Sequence, residues 1–129
     1  MSDNARIALV QRHLAAWGDI DRFIETITDT CTEDLVWGNS GLPTTHGLDQ
    51  ARAMLRQFGL AFRAIEVDYL SVIDVDDRVW TERTDYMIDH QGHRALTCPT
   101  MGIFEFRGDR ICAWRDYFDA SPFKTGRPS

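Results

Sequence analysis

The stretch Arg78-Val79-Trp80-Thr81-Glu82-Arg83-Thr84-Asp85-Tyr86-Met87-Ile88-Asp89-His90 alternates in side-chain character with a period of two, the signature of a strand. The same period governs residues 64–74, 93–107 and 110–119, so four strands are expected, joined by turns at Asp76-Asp77, Gln91-Gly92 and Gly108-Asp109. Upstream the period is about 3.6. Ile7, Leu9, Val10, His13, Leu14 and Trp17 predict a helix over 5–17 that Gly18 ends; Ile20, Phe23, Ile24 and Ile27 predict a second over 19–30. A third over 47–62 buries Leu48, Ala51, Met54, Leu55, Phe58 and Phe62. A short strand over 32–39 precedes the loop Asn39-Ser40-Gly41-Leu42-Pro43. Three helices laid against one strongly curved sheet make an α+β fold with an apolar pocket at its open end. The stretch 121–129, with Pro122, Gly126 and Pro128, reads as an irregular tail of a single domain spanning 1–129.

Composition narrows the function. With 43% hydrophobic and 11% aromatic residues, and no apolar run near the ~20 residues that cross a bilayer, the chain reads as soluble and globular. A net charge of -6 and a pI near 5.0 disfavour nucleic acid and anionic membranes, which need clustered basic residues. Cys31, Cys98 and Cys112 are odd in number and lack a Cys-x-x-Cys spacing, and the start Met1-Ser2-Asp3-Asn4 lacks a charged-then-apolar signal segment, so reduced thiols in the cytoplasm are expected.

Arg83 and Asp85 are two residues apart, so on a strand they leave the same face roughly 7 Å from each other. A turn at Gln91-Gly92 sets Arg83 opposite Thr100 and Asp85 opposite Cys98, and Met87, Cys98, Thr100 and Gly102 then share their face. The small Thr100 and Gly102 let Arg83 reach across to the last strand, where Trp114, Asp116 and Phe118 share a face. An uninterrupted two-residue turn at Gly108-Asp109 has the wrong parity for this, so a bulge is required. Arg83 then bridges two acids and holds one protonated beside one ionised, as acid/base chemistry requires. A structural ion pair is the competing reading. His13 reads as a helix-face residue, His46 as a loop residue, and His90 and His93 flank a turn; no histidine pair has zinc spacing, and no P-loop, Gly-x-Gly-x-x-Gly or Gly-x-Ser-x-Gly is present. No metal and no cofactor are expected.

Trp37-Gly38-Asn39, Glu82-Arg83-Thr84-Asp85, Gly102-Ile103-Phe104 and Trp114-Arg115-Asp116-Tyr117-Phe118-Asp119 together resemble the limonene-1,2-epoxide hydrolase family over nearly the whole chain. The resemblance implies a cone-shaped α+β fold with a mixed sheet, of the nuclear transport factor two-like superfamily, usually dimeric through the outer sheet face. It also implies an Asp-Arg-Asp triad of Asp85, Arg83 and Asp116, with Asn39 matching an asparagine that holds the attacking water. Trp37 stands where the family has a tyrosine; an indole donates a hydrogen bond but accepts none.

The reaction so implied is cofactor-independent addition of water to a small apolar epoxide. Asp116 is the base and Asp85 the proton donor, with Trp37, Met87, Cys98, Thr100, Trp114, Phe118 and Phe123 around the substrate. An isomerase or polyketide cyclase of the ketosteroid isomerase type, and a binding domain without turnover, are the rival readings. Trp80, Tyr86 and Ile88 on the outer sheet face predict a homodimer.

Overall fold

The computed structural model describes residues 1–125 and, in the final helix, side chains through Phe123. Helix α1 (Asp3–Ala15) opens on Ser2, whose Oγ accepts the Ala5 amide at 3.1 Å, and runs into a 3-10 turn over Ala16–Gly18. Asp19 caps α2 (Ile20–Thr26) through the Arg22 amide at 3.1 Å, and a second 3-10 turn, Ile27–Asp29, leads into β1 (Cys31–Asn39). After β2 (Thr45–His46) comes α3 (Leu48–Gly59), then β3 (Phe62–Val75), β4 (Arg78–Asp89), β5 (Arg94–Arg107), β6 (Arg110–Tyr117) and α4 (Ser121–Thr125).

The six strands form one curved mixed sheet in the order β2-β1-β6-β5-β4-β3, with β1 and β6 parallel and the other neighbours antiparallel. The helices cover its concave side, and Leu9, Leu14, Phe23, Ile27, Leu35, Leu55, Phe104 and Ile111 close the core between them. The α+β expectation holds; α1 is as long as its hydrophobic period suggested but starts two residues earlier and tightens into the 3-10 turn, while α2 and α3 end sooner than 19–30 and 47–62 suggested. Two differences stand out. Residues Ser121–Thr125 are helical where an irregular tail was expected, while 126–129 lie outside the described residues. Strand β2, two residues long, is too short to show a period.

Register is what positions the site. Asp76 and Asp77 both take positive φ, 54° and 60°, in the two-residue turn that joins β3 to β4. Arg83 pairs with Thr100 and Asp85 with Cys98 as expected, but not through the expected two-residue turn: Asp89 donates its amide to the His93 carbonyl around a three-residue loop, Ile88 pairs with Arg94, and a shift that leaves Ala95 as the extra residue restores the register. The β5–β6 hairpin starts at Arg107↔Arg110, and a shift between Glu105 and Phe106 leaves Cys112 as the extra residue. That bulge sets Gly102 opposite Asp116. Without it Arg115 would occupy the position opposite Gly102, and Asp116 would turn to the outer face.

His13, on the apolar face of α1, is fully buried. Its ring meets Trp114 edge-on at 4.6 Å, and Nδ1 shares a 2.7 Å hydrogen bond with Thr30 Oγ1. Burial, aided by the nearby Arg83 charge, lowers its pKa from 6.5 to about 3. The native state therefore keeps His13 neutral, while the unfolded chain takes up a proton below pH 6.5. Stability from this group is present above pH 6.5 and drains as pH falls toward 3, at up to about 1.4 kcal/mol per unit. Urea unfolding of His13→Asn between pH 7 and 4 is expected to show a shallower pH slope than the parent chain; equal slopes would remove His13 from this role.

Candidate active site

Arg83 lies at the centre of the concave sheet face, 1% exposed, with Asp85 and Asp116 each 3% exposed beside it. Its Nε donates to Asp85 Oδ1 at 2.9 Å and its Nη2 to Asp85 Oδ2 at 3.1 Å. The same Nη2 lies 2.9 Å from Asp116 Oδ2, and Nη1 donates to Thr81 Oγ1 at 2.8 Å. One guanidinium thus spans three strands, β4 at its root, β5 beneath it and β6 at its tip.

Glycine makes this reach possible. A Cβ on Gly102 would stand 2.6 Å from Asp116 Oδ1 and 2.9 Å from Thr81 Oγ1, and closer still to Arg83 Nη1. Any side chain there would occupy the guanidinium's own place.

The electrostatics follow from burial. Two carboxylates and one guanidinium out of water leave one uncompensated negative charge, and taking up one proton removes it. Burial pushes the Asp85 carboxyl up to about 6 against the opposing pull of Arg83. Burial also raises Asp116, again opposed by Arg83. Desolvation works against the Arg83 charge, but Asp116 and Asp85 together outweigh it and the guanidinium stays protonated. Asp116 Oδ1 is buried with no donor in hydrogen-bond geometry among the described residues, the Trp114 indole adding only a further downward pull on this carboxyl, so an acceptor stands unused at the centre of the cluster.

Above the acids is a pocket with about 580 Å³ of empty space, the open solvent at its mouth included. Trp37, Asn39, Asp85, Met87, Cys98, Thr100, Asp116, Phe118 and Phe123, all expected around the site, line it. Asn39 is in register with Asp116 across the parallel β1–β6 pair, and Trp37 with Trp114. Asn39 Nδ2 also reaches Met54 Sδ at 3.8 Å. Burial raises the Cys98 thiol, a wall group that stays protonated.

Trp114 is a correction. It shares the strand face of Asp116, but it is fully buried behind Trp37, stacked on it at 4.6 Å and 14°, and does not line the pocket. His13 and Trp17 pack against it, their rings 4.6 and 5.2 Å away. The helices supply wall residues that sequence reasoning assigned only to the core: Trp17, Met54, Leu55 and Phe58, joined by Leu42 from the loop and Ile65 from β3. Trp17 also covers the triad, with the Arg83 guanidinium carbon 5.6 Å from its ring centroid.

The outer sheet face differs in detail from expectation. Ile88 is buried, at a point where the register slips on both sides of β4, and the Arg94 guanidinium covers the half-buried Tyr86 at 3.8 Å. The exposed apolar groups there include Leu70, Met101 and Tyr117, at 64%, 45% and 50%, with Ile73 and Val75 further along β3. Asp3, Asp74 and Asp77 gather at the far end of the sheet, but Arg6 pairs with all three. No described helix is long and apolar enough to cross a membrane.

Among solved structures, a Mycobacterium tuberculosis LEH-like epoxide hydrolase superposes with a TM-score of 0.73 at 28% identity, over 96% of this chain and 90% of that one. A SnoaL-like polyketide cyclase fold from Jannaschia gives 0.79 at 17% identity over 98% and 94%, a likeness of fold alone. Epoxide hydrolase EphG of M. tuberculosis is 31% identical over 101 residues, which are 74% of this chain and 62% of that protein's length. Residues 4–126 match the limonene-1,2-epoxide hydrolase catalytic domain family, and with the Asp85–Arg83–Asp116 cluster at the base of a nuclear transport factor two-like fold, the chain belongs to that family.

Proposed function

We propose that this protein adds water to a small apolar epoxide in one step, giving a vicinal diol. The observation that carries the reading is a single buried arginine bridging two carboxyls, one of which keeps an unpartnered oxygen, Asp116 Oδ1, beside Asn39. A water held by Asn39 and Asp116 attacks an epoxide carbon as Asp116 takes its proton. The carbon–oxygen bond breaks, and protonated Asp85 gives its proton to the departing oxygen. Passage of one proton from Asp116 back to Asp85 closes the cycle, with Arg83 paired to both acids throughout. No covalent intermediate and no cofactor enter. A carbonyl enolisation is better served by a neutral donor such as a tyrosine, whereas an arginine wedged between two acids suits epoxide opening.

The test is diol formation from a panel of cyclic and aliphatic epoxides, including terpene oxides, followed across pH. Because the donor must be protonated and Asp85 titrates at about 6, kcat/KM is expected to fall about tenfold per unit above that pH. A flat profile from pH 5 to 9 would detach the reaction from this carboxyl.

The same proposal includes a homodimer through the outer sheet face, where Leu70, Met101 and Tyr117 border one shallow depression with Glu82, Thr84 and Pro99. Light scattering at micromolar concentration is expected to give twice the chain mass, and Leu70→Glu to give a monomer. A monomeric parent chain would contradict it.

A further inference from the structure

Arg83 divides its donors unequally between the two acids. Asp85 receives a fork, Nε to Oδ1 at 2.9 Å and Nη2 to Oδ2 at 3.1 Å, whereas Asp116 meets the guanidinium at one oxygen, Oδ2, 2.9 Å from Nη2. A planar guanidinium favours a two-point fit to a carboxylate, and the groups for a second one are at hand. Asp116 Oδ1 and Arg83 Nη1 converge on one corner above Gly102, together with Thr81 Oγ1. Oδ1 nevertheless has no hydrogen-bond partner there among the described residues.

Thr81 accounts for the missing bond. It is fully buried on β4, two residues before Arg83 and on the same face. Its Oγ1 accepts from Arg83 Nη1 at 2.8 Å and gives its one hydrogen to the Gly102 carbonyl at 3.3 Å. Because the guanidinium is rigid, anchoring Nη1 fixes the whole edge that faces Asp116. The hydroxyl therefore keeps Nη1 from swinging to Oδ1, and its own hydrogen is already spent elsewhere. Asp116 Oδ1 is left with its lone pairs free, as a base requires.

We propose that Thr81 is a positioning residue that withholds Arg83 Nη1 from Asp116 Oδ1, so that Asp116 stays singly bridged and able to act as the base. The inference rests on the epoxide-hydrolase reading for the use of that base, but the division of donors stands on geometry. Thr81→Val keeps the branched shape and removes the hydroxyl, and Nη1 then turns to the acceptor beside it. A second charge-assisted bond favours the ionised carboxyl, which lowers its proton affinity by about one pKa unit. The same bond occupies the oxygen that the attacking water needs. The charged or titratable groups around this carboxyl, Arg83 and Asp85 on β4, Cys98 on β5 and His13 behind Trp114, are the same in parent and variant.

The test uses two readouts on the parent chain, Thr81→Val and Thr81→Ser. Without substrate, the Asp116 carboxyl is titrated by carbon-13 NMR on protein labelled at aspartate Cγ, its resonance assigned by its loss in Asp116→Asn. In parallel, kcat and kcat/KM for a hydrolysed epoxide are followed down the acid side of the pH profile. Thr81→Val is expected to move the Asp116 titration and the acid limb of the rate down by about one pH unit, with kcat about tenfold lower. Thr81→Ser, which keeps the hydroxyl, should restore both readouts. If valine is not accommodated, Thr81→Cys, whose thiol is only a weak acceptor, should give the same downward shift. An unchanged Asp116 titration in the folded variant overturns the proposal. So does an upward one, which would make Thr81 a donor to Asp116 rather than the group that withholds one. A downward shift in a set of proteins none of which turns over an epoxide would overturn the proposed reaction and leave the role of Thr81 standing.

Discussion

Asp116→Asn is expected to lower turnover of a hydrolysed epoxide by roughly 100-fold or more while the melting temperature stays within a few degrees. The amide keeps the shape of the carboxyl but cannot accept a proton from water, and the unpartnered Oδ1 is the atom that the proposed reaction uses. Asp85→Asn should cost as much for the opposite reason, since it removes the donor to the opening oxygen. Arg83→Ala is expected to damage both rate and fold, because it leaves two buried acids, each 3% exposed, without their shared cation. Steady-state rates with thermal unfolding on the same samples separate these outcomes. Full activity in Asp116→Asn would remove Asp116 from the role of base.

Gly102→Ala is expected to lose a comparable factor in rate although it deletes no functional group. The added methyl would sit within 2.6 Å of Asp116 Oδ1, where packed atoms have nowhere to yield except by displacing the guanidinium. Overpacking of this kind costs about 1–3 kcal/mol of stability, a loss that urea unfolding would register. Kinetically, kcat should fall while the KM for substrate, set by the walls, changes little. A variant with wild-type kcat would mean that the Arg83 bridge is not required in the geometry seen here.

Much of this site was legible because strand alternation is a strict rule. A period of two put Arg83 and Asp85 on one face, and parity demanded a bulge in the last hairpin, which lies at Cys112. The small residues opposite Arg83 pointed to a long side chain crossing the sheet, and Gly102 is that crossing. What stayed hidden depends on packing between elements distant in sequence. Trp17, Met54 and Phe58 lie on helix stripes whose period is the same whether they face a solid core or a cavity. Trp114 obeys the alternation but is roofed over by Trp37, and no local pattern reveals which of two stacked indoles meets the cavity. Ile88 is buried at a point where the register slips on both sides of β4, which alternation alone does not announce. The helix at Ser121–Thr125 is too short to display a period, though it presents Phe123 to the pocket.

The central claim is that water, not a carboxylate, attacks the epoxide, with Asp116 as its base. It is tested most directly by a single turnover in oxygen-18 water, with enzyme in excess over substrate and the diol analysed by mass spectrometry. Direct attack predicts one labelled oxygen in the diol from that first turnover. Unlabelled first-turnover diol, with the label appearing only in later cycles, would mean that an enzyme carboxylate supplied the oxygen through an ester and would contradict the account.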